Sequence, residues 1–274
     1  MLHLSILMEN TAADGYFCEH GVSFLLDFGD AVILFDTGAS DVFLKNAAKM
    51  GCDLGRVTHI VLSHGHFDHT GGLGAALRHI AGKKQKTALP PLIAHPDVLL
   101  HRRRPCGHPK GPKELGMPED SRTALAGWPV TFSREPVFIR ENLVFLGEIP
   151  HTLPEMCVLI GEAEHNGTYA PDMLFDDTAL VYITDKGLVI IAGCSHSGIL
   201  NIIAHAREVT GVATIRAVYG GLHCVDMTPE NIAKTRKALA DEQLMELFAC
   251  HCTGEALKDV PEALFLEAGM QHRL

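Results

Sequence analysis

Apolar and polar positions along this chain repeat one pattern, strand, turn, strand, helix, strand, first near the N-terminus and again after residue 178. The opening segment MLHLSILMENTAADGYF reads as a first strand. In the first copy, SFLLDFGDAVILFDTG gives two strands joined by a turn at Gly29 and Asp30, since alternating apolar residues broken by Gly-Asp mark a hairpin. A helix is predicted from Ser40, as N-cap, to Met50, and the strand THIVLS then leads into His64. In the second copy, ALVYITDKGLVIIAGC gives two strands around a turn at Asp185 to Gly187. A helix follows with Ile199, Ile202, Ile203, Ala206 and Val209 on one face, and the strand IRAVYGG leads into His223. Thr228 as N-cap with Pro229 behind it predicts a helix towards Asp241, and the apolar stretch Glu255 to Leu266 predicts a short one.

Aligned on their turns, the copies place Asp36 and the Gly193 to His196 segment at equivalent strand ends. Two β-rich halves packed face to face with helices outside make a four-layer αββα sandwich, fold class α+β, as one domain spanning 1–274. Between the copies lies a Pro-rich, basic insertion at about 83–135, read as a lid around a single strand near Pro91 to His95.

Composition narrows this picture. The 274 residues are 47% apolar and 20% charged, values of a chain that buries a core. The net charge of −10 argues against broad nucleic-acid binding, which draws on Lys and Arg to displace counterions. No apolar run approaches the ~18 residues of a spanning helix, and the N-terminal segment lacks the order of a secretory signal, so the expectation is a cytoplasmic protein without a membrane partner; oligomeric state is left open. The 8 cysteines are too few for a disulfide scaffold and are read mostly as buried, reduced thiols, with Cys250 and Cys252 flanking His251. The 17 histidines are many, and their positions matter more than their number.

The segment SHGHFDHTGG puts four candidate ligands, His64, His66, Asp68 and His69, into six positions after an apolar strand. His64 and His66, two apart, can aim at one metal from a tight loop, while Asp68 and His69 face a second. Gly65, Gly71 and Gly72 are expected to let the backbone turn. His196 and His251 each follow an apolar strand, the position from which a side chain emerges at a sheet edge. His223 is open between ligand, substrate hydrogen-bond donor and packed histidine.

Here the sequence resembles the metallo-β-lactamase superfamily, whose HxHxDH motif matches His64, His66, Asp68 and His69 without a gap. FDTG with Asp36, GCSHSG with His196 and HCTG with His251 follow in the superfamily's order. The resemblance implies that His64, His66 and His196 hold one metal and that Asp68, His69 and His251 hold another. Asp36 then hydrogen-bonds within the metal loop and orients its imidazoles. Many members carry a bridging Asp where this chain reads Cys194, Ser195 and His196, so the implied cofactor is one or two divalent ions. Zinc is the first expectation, and manganese and iron suit the same donors.

The set FDTG, SHGHFDHTGG, AHP at His95, DDTAL at Asp176 to Leu180, GCSHSGILN, GGLH and HCTG resembles one branch. That branch is named for 7,8-dihydropterin-6-methyl-4-(β-D-ribofuranosyl)aminobenzene-5′-phosphate synthase. The resemblance implies a metal-dependent hydrolase, or a related synthase or lyase, that turns a metal-bound hydroxide on a small anionic, phosphorylated substrate. From Lys83 to Lys113 there are 8 Lys and Arg against 1 Asp, a reversal of the overall charge that can steer anions. Asp68 is expected to orient the nucleophile and His223 to stabilise an oxyanion. The alternatives are an iron-dependent redox enzyme on the same scaffold, which usually carries an electron-transfer domain this length does not accommodate, and a non-catalytic metal- or ligand-binding protein.

Overall fold

A computed structural model describes residues 1–83, 88–242, 244–260 and 263–274. The chain divides into two compact units. Unit 1 comprises Met1–Phe132, Ile160–Asp172 and Leu266–Leu274, and unit 2 comprises Ser133–Leu159 and Met173–Phe265.

Unit 1 is built on a seven-stranded sheet. Its hairpin, Ser23–Asp27 with Val32–Phe35, is antiparallel in the register Phe24 to Phe35 through Asp27 to Val32. Asp27 accepts the Gly29 N–H at 2.7 Å, closing the turn predicted there. From Val32–Phe35 the sheet continues in parallel through His59–Val61, Leu92–Ala94 and Val130–Phe132. On the other side of the hairpin lie His3–Met8 and the C-terminal Gln271–Arg273, both antiparallel. Helices Val42–Lys49 and Leu73–Lys83 cover one face with Phe43, Ala47, Leu73, Ala76, Leu77 and Ile80 against Leu34 and Ile60. At about 1.5–3 kcal/mol per fully buried large apolar side chain, this layer is what fixes the sheet.

Unit 2 repeats the plan. The hairpin Ala179–Thr184 with Gly187–Ala192 is antiparallel, and Ile215–Gly221, Glu246–Cys250 and Ala263–Phe265 follow in parallel. Leu143–Phe145 and Val137–Arg140 complete its seven strands. Helix Ile199–Thr210 buries Ile199, Ile202, Ile203 and Ala206, and helix Pro229–Asp241 starts where Thr228 accepts the Asn231 N–H at 3.2 Å.

Several expectations need correction. The first helix runs Val42–Lys49 with Asp41 at the N-cap position, one residue later than expected; Ser40 still serves the helix end, its Oγ accepting the Val42 N–H at 3.2 Å while its hydroxyl donates to Glu19 at 2.5 Å. The stretch Glu255 to Leu266 is no helix. A 3-10 segment, His251–Leu257, is broken at Gly254 (φ 56°), and Ala263–Phe265 joins the sheet as a strand. The part of that stretch at Pro261 and Glu262 lies outside the described residues. The basic stretch holds more than one strand. Arg102–Arg104, Lys113–Glu114, Glu162–His165 and Thr168–Pro171 form a separate four-stranded sheet of unit 1, and Glu119–Ala124 is a helix. Charged triplets such as RRR carry no period-two signal, so they do not read as strands. No helix among the described residues is long and apolar enough to cross a membrane.

Candidate metal centre

The strand His59–Val61 delivers a buried loop, Ser63 to His66, followed by the one-turn helix Phe67–Thr70. Helix and loop are tied down by backbone contacts: Thr37 N–H donates to the His69 carbonyl at 2.8 Å, Thr70 Oγ1 to the His66 carbonyl at 2.8 Å, and Phe67 N–H to the Leu115 carbonyl at 2.9 Å. Gly65, Gly71 and Gly72 serve close approach rather than a left-handed turn, since none of them has positive φ. A Cβ on Gly65 would overlap Arg102 and the Val98 carbonyl, and one on Gly71 or Gly72 would overlap carbonyls of residues 37 to 40.

Within unit 1 this loop brings three of the predicted side chains, His64, His66 and His69, together with Asp36, and carries Asp68 in the same helical turn. Asp36, at φ 58° just beyond Val32–Phe35, accepts the Ser63 N–H at 2.7 Å and the Ser63 hydroxyl at 2.6 Å, and its Oδ2 lies 2.7 Å from His69 Nδ1. Proton accounting then fixes the tautomers of the neutral rings. A carboxylate only accepts, so His69 carries its proton on Nδ1 and its lone pair on Nε2. Ser63 spends its single proton on Asp36, so the 3.0 Å contact between Ser63 Oγ and His64 Nδ1 places the His64 proton on Nδ1 and its lone pair on Nε2. That Nε2 faces His66 Nδ1 at 3.0 Å. Ring nitrogens sharing a tetrahedral zinc at about 2.0–2.1 Å from each lie about 3.3 Å apart, close to the observed separation. The rings of His66 and His69 stand 4.6 and 4.2 Å from that of His64. Asp68 Oδ2 lies 3.0 Å from Nε2 of His20, a largely exposed side chain.

Unit 2 places its candidates at the ends of matching strands. His196 follows Gly187–Ala192; its Nδ1 lies 3.1 Å from the Val158 carbonyl, which again puts the proton on Nδ1 and the lone pair on Nε2. His223 (φ 45°) follows Ile215–Gly221, and His251 (φ 50°) follows Glu246–Cys250. Non-glycine residues in this region cost about 1–3 kcal/mol each and gather at functional sites. Asp177 is fully buried and accepts the Ser197 N–H at 2.8 Å; burial, only partly offset by that bond and others from the same loop, pushes its carboxyl up to about 7.

Sequence reasoning missed the partners of His223. Its Nδ1 lies 3.1 Å from Cys194 Sγ and its Nε2 3.2 Å from Asp226 Oδ2, while Cys194 and Cys252 bring their sulphurs to 2.8 Å. Burial draws the His223 imidazolium down, but the negative charge of Cys252 and the hydrogen bond to Asp226 outweigh it and hold the ring at about 10. Of the 8 cysteines, Cys194, Cys224, Cys250 and Cys252 are buried, whereas Cys18 and Cys106 are exposed. The CHC triplet at 250 to 252 was the available signal, and reading its thiols as core filler hid it.

The basic stretch is also less free than its composition suggests. Arg102 is buried in a 2.6 Å ion pair with Asp172, and Arg103 pairs with Glu162 at 3.3 Å and stacks on Tyr169. Lys84 and Lys86, counted among the basic residues, lie outside the described residues. Lys113 sits over the ring of Phe67 at 3.8 Å, beside the metal loop itself.

The family model of the metallo-β-lactamase superfamily matches residues 17–149. The chain is 31% identical, over 87% of its length and 82% of the relative's, to the 7,8-dihydropterin-6-methyl-4-(β-D-ribofuranosyl)-aminobenzene-5′-phosphate synthase of Methanocaldococcus jannaschii. It superposes with a TM-score of 0.83 and 29% identity on the crystal structure of Tm1679, described as a metal-dependent hydrolase of the β-lactamase superfamily, covering 100% of this chain and 99% of that one. A diphosphatase of the PhnP family shares the fold alone, at TM-score 0.54 and 14% identity over 100% of this chain and 98% of that one. The α+β, metallo-β-lactamase fold expected from the sequence is the fold these structures share.

Proposed function

Because the chain belongs to the metallo-β-lactamase superfamily, in the branch of the methanogen synthase, we propose that it is a metal-dependent hydrolase, or a related synthase or lyase, acting on a small anionic substrate. The observation that carries this reading is the proton accounting around Asp36, which puts the lone pairs of His64 and His69 on Nε2 in a buried loop, with His64 Nε2 facing His66 Nδ1 at 3.0 Å. Imidazole and carboxylate donors of this kind fit zinc, manganese or iron. A divalent ion held there supplies a lowered pKa for water and polarisation of a carbonyl or phosphoryl oxygen.

The resemblance assigns His196 to the metal of His64 and His66, and His251 to the metal of Asp68 and His69; those shared ligand sets are part of the proposal. Asp36 and Ser63 hold the imidazoles in the donating tautomer. Asp68 orients the attacking nucleophile, and His20, 3.0 Å from its carboxylate, is placed to exchange a proton with it. Lys113 supports an anionic substrate, because it presents a cation over Phe67, between two of the ligands. The oxyanion role expected for His223 is not carried into this proposal, since both its ring nitrogens already face partners in unit 2.

The test is elemental analysis of protein purified without added metal, followed by phosphodiester, lactone and thioester probes. The expected result is bound divalent metal and turnover of at least one probe, both lost in His66→Ala. Turnover that survives in His66→Ala contradicts the mechanism.

A further inference from the structure

Of three consecutive arginines in unit 1, two are neutralised within the fold and the third is not. Arg102 is buried against Asp172 at 2.6 Å, and Arg103 pairs with Glu162 at 3.3 Å and stands opposite Glu114 across the strands Arg102–Arg104 and Lys113–Glu114. Arg104, one step on, stands opposite Lys113. Directly opposed residues of an antiparallel pair share one face, with Cβ atoms about 4.5–5.5 Å apart, and like charges so placed repel. Among the described residues no carboxylate pairs with either cation. The guanidinium is held in place all the same: Arg104 Nε donates to the Gly111 carbonyl at 2.7 Å, which leaves its two terminal amino groups as a fork. The loop between the strands is stiffened by Pro105, Pro109 and Pro112, and its turns close from the His108 N–H to the Pro105 carbonyl at 3.0 Å and from the Gly111 N–H to the His108 carbonyl at 2.8 Å. This hairpin is fastened to the HxHxDH loop. Gly116 bridges to His66, and the Phe67 N–H donates to the Leu115 carbonyl at 2.9 Å. Lys113, 3.8 Å over the ring of Phe67, therefore puts the shared face of the cation pair beside the candidate metal ligands.

We propose that Arg104 and Lys113 bind a phosphate monoester group of the substrate and so act as specificity-determining residues. A phosphate monoester carries nearly two negative charges at neutral pH, which one guanidinium and one ammonium balance. Its oxygens accept from the Arg104 fork, while Lys113 serves as a point charge beside them. A dianion between the two cations turns their mutual repulsion into attraction, whereas a single carboxylate leaves half of the charge unbalanced. No bond is made or broken here; the pair binds and orients. The proposal rests on the hydrolase reading for what happens to the rest of the substrate, but the grip on the phosphate uses none of the metal ligands.

The test is a calorimetric titration of chelator-treated full-length protein with inorganic phosphate at constant ionic strength, with acetate as the comparison anion and circular dichroism as the check on folding. Chelation removes any metal that would itself hold the anion. Phosphate is expected to bind the wild type and His66→Ala alike, and acetate about tenfold more weakly or worse. Arg104→Gln and Lys113→Gln should each weaken phosphate binding by about tenfold or more, the effect of losing one charge-assisted bond. Arg103→Gln removes the same charge from the neutralised neighbour and should change the affinity by less than about twofold. Arg104→Lys keeps the charge without the fork and should fall between Arg104→Gln and the wild type. The proposal is overturned if the metal-free wild type binds no phosphate, or if acetate binds as tightly. It is equally overturned if Arg103→Gln weakens phosphate as much as Arg104→Gln does, which would make the attraction a diffuse one. Binding that disappears in His66→Ala would also overturn it, by placing the anion on the imidazoles. Turnover that survives in His66→Ala contradicts the hydrolase mechanism instead, and leaves the phosphate titration to stand or fall by itself.

Discussion

In unit 1 the second strand of the hairpin ends at Asp36 and the next parallel strand runs on to His64; in unit 2 the corresponding ends carry Cys194 and His223. The backbone treats both places alike, with left-handed residues at Asp36 and Ser195 after the hairpins. The chemistry differs. Oxygen and imidazole at the unit 1 ends accept several divalent metals, whereas the thiols at the unit 2 ends select soft ones. A shared strand plan thus fixes where a ligand can be held, outside the carboxyl ends of parallel strands, and leaves the side chains to decide which ligand.

The largest effect is expected behind the unit 1 loop. Asp172→Asn removes the carboxylate charge that faces the buried Arg102 guanidinium at 2.6 Å, and the expected loss is about 3–5 kcal/mol in a denaturant titration. A loss below 1 kcal/mol would mean that Arg102 finds water on its own. Gly65→Ala drives a methyl into Arg102 and the Val98 carbonyl, with an expected cost of about 1–3 kcal/mol and weaker metal retention in the same variant. Asp36→Asn keeps the shape but replaces one acceptor oxygen with a donor NH2, so it can no longer take the Ser63 N–H on one oxygen and the Ser63 hydroxyl and His69 on the other; metal affinity at the imidazole set should fall about 10–100-fold by competition with a chelator. An unchanged affinity would show that Asp36 does not orient the imidazoles.

The smallest effect is electrostatic and touches both units. His59 in unit 1 and His151 in unit 2 are half-buried, and burial holds each below the usual 6.5, with Glu148 opposing it at His151. A depressed imidazole is neutral when folded and protonates first in the unfolded chain, so stability is complete above pH 6.5 and declines as pH falls through that value towards the folded pKa. Thermal unfolding of His59→Gln should show a shallower decline between pH 6.5 and 5 than the wild type. An unchanged profile would remove His59 from the account.

What the sequence discloses depends on how local the information is. The hairpins are legible because Gly29-Asp30 and Asp185 to Gly187 interrupt alternating apolar runs within a few residues. His64 to His69 are legible because four donors crowd one loop. The thiol set is not, because Cys194, His223 and Cys252 are joined only by the register of three strands, and a lone Cys in an apolar context reads as core. Glu255 to Leu266 misleads for another reason: a short apolar run satisfies helix and strand alike until Gly254 and the sheet edge decide it. The charge count over the basic stretch likewise misses Asp172 and Glu162, far away in sequence, which pair with Arg102 and Arg103.

Anomalous diffraction at the zinc edge, on crystals of the reduced protein grown with zinc, tests the central claim most directly. The account predicts a zinc peak about 2.0–2.1 Å from both His64 Nε2 and His66 Nδ1, the two nitrogens that already face each other. A fully loaded crystal with no peak at that pair, its two rings joined only by a hydrogen bond, would contradict it.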